Sequence, residues 1–167
     1  MPIKNPKELF VRILSHVRHG TERSAAVYKE LGEAAQNPEV QEALNARAFV
    51  AHQNLEKIDE AFKLIGEKPV SVTGPLHDVF VEDFRRELGE IQSPEARRLF
   101  VLAKANHLNH MRTAEYATLV AASDISGNHG VGVLLESCLA DHLAFTERTR
   151  RLIRHVIEAK LAARAAG

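Results

Sequence analysis

Histidine, asparagine and acidic side chains recur near the middle of each long apolar pattern in this 167-residue chain. The first pattern offers His19, Thr21 and Glu22, and the second offers His52 and Glu56. The third carries Asn106, Asn109 and His110, and the fourth carries Asp141 and His142. In the third, the face Leu99, Leu102, Asn106, Asn109 or His110, Thr113, Tyr116, Val120 is apolar at its ends and polar in its middle. Burying such a centre is costly unless hydrogen bonds, water or a metal satisfy it.

Imidazoles and carboxylates brought together by facing helices are the donors transition metals take. Dinuclear carboxylate sites in helical bundles draw one Glu from each of two helices and Glu-x-x-His from each of the others. Residues three apart share a helix face, which is why that spacing recurs. Here the position three before His52 is Phe49, that before His110 is His107, and that before His142 is Leu139. No Glu-x-x-His falls on an expected core face. The remaining ligand candidates are Glu22, His52, His110, Asp141 and His142, a His-rich set suited to iron, manganese or zinc. The competing reading is a hydrogen-bonded polar layer in which Thr21, Asn106, Asn109 and the histidines satisfy one another and trapped water.

Other chemistry is sparse. His16, His77, His107, His129 and His155 fall off the expected seams or in turns and read as surface residues. Cys138 lies on a core face with no basic group in its turn, so it reads as a small buried hydrophobe rather than a nucleophile. Tyr28 and Tyr116 read as core aromatics whose hydroxyls reach a partner. There is no local Ser/His/Asp signature and no glycine-rich loop after a strand.

Long helices must position these residues. Asn5-Pro6 predicts a capped start for helix 1 over about residues 6–33, with Phe10, Leu14, Val17, Thr21, Tyr28 and Leu31 at helical spacing. Gly32 is the expected stop, with Glu33-Ala34-Ala35 as the alternative extension. Asn37-Pro38-Glu39 starts helix 2, which runs to about residue 65 on Val40, Leu44, Ala48, Ala51 or His52, Leu55, Ile58 and Phe62. The segment 66–93 is too long for a plain turn. Thr73-Gly74-Pro75 opens a shorter helix within it, over about 75–88. Ser93-Pro94-Glu95 starts helix 3, which reaches about residue 123, and helix 4 spans about 131–161. Two hairpins joined by one long crossover predict an all-α, ferritin-like four-helix bundle with a short extra helix between helices 2 and 3. The chain reads as a single domain over 1–167, with residues 161–167 as a fraying tail.

Bulk properties narrow the function classes. Lys+Arg 22 balances Asp+Glu 22, which argues against nucleic-acid binding. The C-terminal Arg148, Arg150, Arg151, Arg154, Lys160 and Arg164 read as a solvated helix face. A single cysteine excludes an intrachain disulfide. No apolar run approaches a membrane span, and the N-terminus lacks the apolar region of a signal peptide, so a cytoplasmic location is expected.

The segment LFVLAKANHLNHMRTAEYATLVAAS, followed by VLLESCLADHLAFTERTRRLI, resembles the last two helices of the YciE/YciF family of bacterial ferritin-like, stress-associated proteins. KELFVRILS, NLEKIDEAFKLIGEKP and GPLHDVFVED are similar to the same family, so the resemblance covers about residues 4–157. It implies a four-helix bundle with a crossover helix, a tendency to dimerise and a dinuclear metal site. Laid onto this chain, the family's ligand positions fall on Thr21 (with Glu22 one step off), Phe49 and His52. On the last two helices they fall on Asn109, His110, Met111 and Arg112, and then on Ala140, Asp141 and His142. Only His52, His110 and Asp141 match in type.

A dinuclear site so poor in carboxylates would leave roughly +4 or more of metal charge in the core. The favoured reading is therefore a stress-type bundle with a degenerate metal site and no enzymatic activity, acting as a homodimer or with a protein partner. One alternative is a His-rich metal protein that handles oxygen or peroxide. Another is a small-molecule or partner-binding bundle. The apolar Val79, Phe80 and Phe84, beside Asp83 and Arg85, make the crossover helix one candidate dimer contact, which the sequence leaves open.

Overall fold

The computed structural model describes residues 3–165, and the side chains of 163 and 164 lie outside that description. Five helices follow in order: α1 Pro6–Ala34, α2 Pro38–Leu64, α3 Pro75–Glu90, α4 Pro94–Ile125 and α5 His129–Ala165. Four of them begin on proline, whose missing N–H costs nothing in the first turn. The Asn5 side chain accepts from the Glu8 N–H at 2.9 Å, Asn37 from Val40 at 3.1 Å and Ser93 from Ala96 at 3.3 Å. Gly66 and Gly127 take the left-handed conformation just after α2 and α4, where a side chain would be strained.

Contacts across the bundle fix its topology. Leu14 and Val17 of α1 cluster with Tyr116 and Leu119 of α4, whereas Tyr28 and Leu31 cluster with Val101, Leu102 and Leu108, so a rising α1 meets a falling α4. Arg47 of α2 meets His142 of α5, and Lys57 meets Asp141, so these two helices are also antiparallel. The hairpins α1/α2 and α4/α5 thus stand side by side, with α2 and α4 parallel, which requires the crossover that carries α3. Ion pairs tie α3 to the bundle: Arg85 to Glu30 at 2.7 Å, Lys104 to Asp83 at 2.8 Å, and Arg23 to Asp78.

The interior is two apolar clusters with a polar layer between. One contains Tyr28, Leu31, Leu44, Phe84, Leu102, Leu108 and Phe145, and the other Leu14, Ile58, Phe62, Tyr116, Leu119, Leu135 and Cys138. Each fully buried Leu, Ile or Phe contributes about 1.5–3 kcal/mol. The layer between them contains Thr21, Ser24, Arg47, Asn54, Asn109, Arg112 and His142, all buried.

Three details differ from the sequence expectation. Gly32 does not stop α1: it is buried against Leu44 and Gln41 of α2, and its missing side chain allows that approach. Phe80 and Phe84 do not offer apolar area on the surface of the crossover helix. They are buried in the bundle's own core, with Phe84 stacked on Phe100, and Leu76 and Val79 carry the exposed face of α3. Helix α5 continues to Ala165, past the residue 161 at which fraying is expected, while residues 166 and 167 of that tail lie outside the described residues.

Candidate functional site

The centre of the polar layer is Arg47, a residue absent from the sequence candidates. The buried stripe of α2 runs through Val40, Ala43, Leu44, Arg47, Ala48, Ala51, Asn54 and Ile58. Arg47 is 4% exposed and His142 2%. The Nη2 of Arg47 lies 2.8 Å from His142 Nε2 and 2.9 Å from Nδ1. Asn109 decides between the two. Its Nδ2 donates to the His142 carbonyl at 2.9 Å and to Thr146 Oγ1 at 3.0 Å, which turns Oδ1 toward His142 Nδ1 at 2.8 Å. An amide oxygen only accepts, so Nδ1 carries the proton and Nε2 accepts from Arg47.

Aromatic faces complete the cage. The Arg47 guanidinium sits 5.3 Å from the Tyr28 ring centre and 5.6 Å from that of Phe145, a buried cation–π arrangement. The Tyr116 ring lies 4.9 Å from the His142 ring, and its hydroxyl pairs with Thr21 at 3.1 Å. Burial, then the Arg47 and Arg112 charges, hold His142 down at about 2, so it is a neutral imidazole. Burial pushes the Tyr28 and Tyr116 hydroxyls up and the Cys138 thiol up to about 11. These groups are therefore neutral and poor nucleophiles at neutral pH.

The five candidate ligands do not converge. His52 and His110 are exposed, and Glu22 is exposed with its carboxylate 3.6 Å from Arg18. Asp141 is half-buried and paired with Lys57 at 3.2 Å. Only His142 faces the interior, and there it is bonded to Arg47. Phe49, at a position where the resemblance implies a Glu, is 63% exposed. Among the described residues, no three His, Cys, Asp or Glu side chains form a group that could hold a metal ion. The layer instead holds the guanidinium groups of Arg47 and Arg112, which repel a cation. These residues do not fit a dinuclear metal centre.

Other polar groups surround this layer. Cys138 is fully buried, as its core position predicts. Asn54 is fully buried with neither amide atom hydrogen-bonded, and the Tyr28 hydroxyl lies beside Arg47 without a partner at hydrogen-bonding geometry. His77, read as a surface residue from its place near a turn, is 4% exposed because α3 lays its first turn against α1 and α4. The signal for Arg47 was its spacing: Leu44, Arg47, Ala51, Asn54 and Ile58 share one face at steps of three and four.

Comparison with known proteins gives concordant results. The family described as a domain of unknown function (DUF892) matches residues 5–162. The protein YciF of Escherichia coli K12 is 22% identical over 150 residues, covering 86% of this chain and 87% of that protein. The crystal structure of the E. coli stress protein YciF superposes with a TM-score of 0.89, covering 93% of this chain and 99% of that one at 19% identity. YcfI of Rhodopseudomonas palustris, described as a candidate structural protein, superposes with a TM-score of 0.84 at 22% identity, covering 89% and 94%. These likenesses establish the fold, a ferritin-like helical bundle. No helix among the described residues is long and apolar enough to cross a membrane.

Proposed function

We propose that this chain, which belongs to the DUF892 family, is a stress-associated structural bundle that works without a metal centre and without catalysis. The observation that carries this reading is the Arg47 guanidinium donating to His142 at the middle of the bundle. A fixed side-chain cation stands at the middle of the bundle, and His142, the one candidate ligand that faces this layer, spends its acceptor nitrogen on that arginine. The relatives support the role: one is named a stress protein and another a candidate structural protein. Neutral, high-pKa tyrosine and cysteine side chains around the layer add no nucleophile.

The protein acts through its surface, as a homodimer in the cytoplasm. Exposed Phe49 on α2 and Leu143 on α5, 63% and 52% exposed, supply apolar area that a second copy would cover. Light scattering coupled to size exclusion tests the dimer; a monomer at all concentrations contradicts it. Elemental analysis of protein purified without a histidine tag tests the metal-free reading. The expected content is far below one metal ion per chain, and one or more iron, manganese or zinc ions per chain would overturn it.

A further inference from the structure

Next to the closed layer, α1, the start of α3 and α4 enclose a recess of about 200 Å³. His16, His19, Gly74, His77, Arg112 and Glu115 line it. Three observations there point to a ligand. Helix α3 starts after Gly74 with no side chain capping its first turn, although the His77 and Asp78 N–H groups bond the Gly74 carbonyl and Asp78 is an acid in that turn. His77, in that turn, is 4% exposed, and its Nδ1 has no hydrogen-bond partner. Arg112, 7% exposed, enters from α4 with its Nε unpartnered. Its guanidinium lies so close over Gly20 that a Cβ there would come within 1.8 Å of Nη1.

We propose that this recess binds a small oxyanion of the phosphate type, held by Arg112, His77 and the first turn of α3, with His19 and Arg23 at its rim. Both rim residues press against Gly74: a Cβ at that position would lie 3.1 Å from His19 and 3.2 Å from Arg23. Helix N-termini take anions because their N–H groups and dipole converge on one point. Glu115 occupies one edge of the Arg112 fork at 2.8 Å and leaves Nε for the ligand. Asp78, the acid of the first turn, is already paired with Arg23. A metal is disfavoured although three histidines line the recess, since Arg112 and Arg23 flank them and repel a cation. The volume is below the roughly 300 Å³ at which cofactor and drug-sized pockets begin, which limits the ligand to a small anion. Burial first, then Arg23 and Arg112, hold His77 at about 4, so the neutral ring would donate one hydrogen bond rather than a charge.

The test is a titration of the full chain with inorganic phosphate at constant ionic strength, followed by amide and imidazole NMR. Sodium chloride, acetate and zinc chloride form parallel arms. The proposal expects saturable shifts at Gly20, Gly74 and His77 with phosphate, none with chloride, and weaker binding of acetate. His77→Phe keeps the ring volume and should weaken phosphate binding about tenfold, the loss of one hydrogen bond to a charged group. Arg112→Lys should weaken it further. If that variant does not fold, His77→Phe and His19→Leu still decide the matter. Non-saturating shifts that match chloride overturn the proposal. So do unchanged affinity in His77→Phe, acetate binding tighter than phosphate, or saturation by zinc alone. None of these readouts depends on the metal content of the polar layer, so this proposal and the metal-free reading stand or fall separately.

Discussion

Arg47 and Arg112 are both buried arginines on facing sides of one bundle, and they are kept there by different means. Arg112 has an acid: Glu115 on its own helix lies at 2.8 Å. Around Arg47 the charge is met by aromatic faces and by the neutral acceptor of His142. The first arrangement sits beside a recess lined by histidines, and the second is buried between aromatic rings with Arg47 Nε and Nη1 unpartnered. The difference teaches how a bundle without inward carboxylates can still hold a polar centre. Neutral acceptors and π faces suffice for one guanidinium, whereas a dinuclear metal site needs several carboxylates to balance its charge.

Variants that separate the two arginines should show this, beginning with the largest effect. Arg47→Ala leaves a cavity and an unmet imidazole acceptor, and should cost about 2–5 kcal/mol in urea unfolding. Arg47→Met fills most of the volume and removes a buried charge that has no acid, so it should lie within about 1 kcal/mol of wild type. Equal losses in the two variants would mean that the charge itself is needed.

The pH dependence comes next. His142 is held at about 2 against an ordinary value of 6.5. The unfolded chain therefore binds a proton between those values that the folded chain does not, and stability falls as pH drops below 6.5. The slope has an upper bound of about 1.4 kcal/mol per pH unit from this residue. His77, lowered to about 4, adds in the same direction down to that pH, and Glu115, whose carboxyl is raised by burial, opposes them. Unfolding curves collected between neutral and mildly acid pH check the sign. His142→Gln keeps an acceptor for Arg47 and should flatten the slope.

At the Arg112 side, Gly20→Val must displace the guanidinium and should cost about 1–3 kcal/mol. The double variant with Arg112→Met should recover part of that loss, since the two positions share one contact. The smallest effect is expected for Thr21→Val, which removes the partner of the Tyr116 hydroxyl at nearly constant shape, about 0.5–1.5 kcal/mol by thermal unfolding.

The fold is legible because its signals are local and repeated. Asn5-Pro6, Asn37-Pro38 and Ser93-Pro94 mark helix starts by the capping bonds they go on to make. Thr73-Gly74-Pro75 places the crossover helix by its proline, with no side-chain cap. The site is harder to read because its phase depends on weak positions. An alanine-rich seam on α2 left Ala51 and His52 nearly equivalent, and the resemblance placed Phe49 at an inward ligand position. Phe49 is in fact 63% exposed and Ala51 is buried. On α4 the same ambiguity between Asn109 and His110 resolves to Asn109. Arginine is almost never fully buried, so composition argues against Arg47 in the core, and only contact with His142 and two aromatic rings reverses that expectation.

The most direct test of the metal-free layer is an anaerobic titration of the untagged protein with ferrous iron, followed by calorimetry and by absorbance on admission of oxygen. With Arg47 at the centre, no saturable high-affinity binding and no oxygen-dependent absorbance band are expected. A saturating isotherm of one or two ions per chain, with that band, would contradict the account.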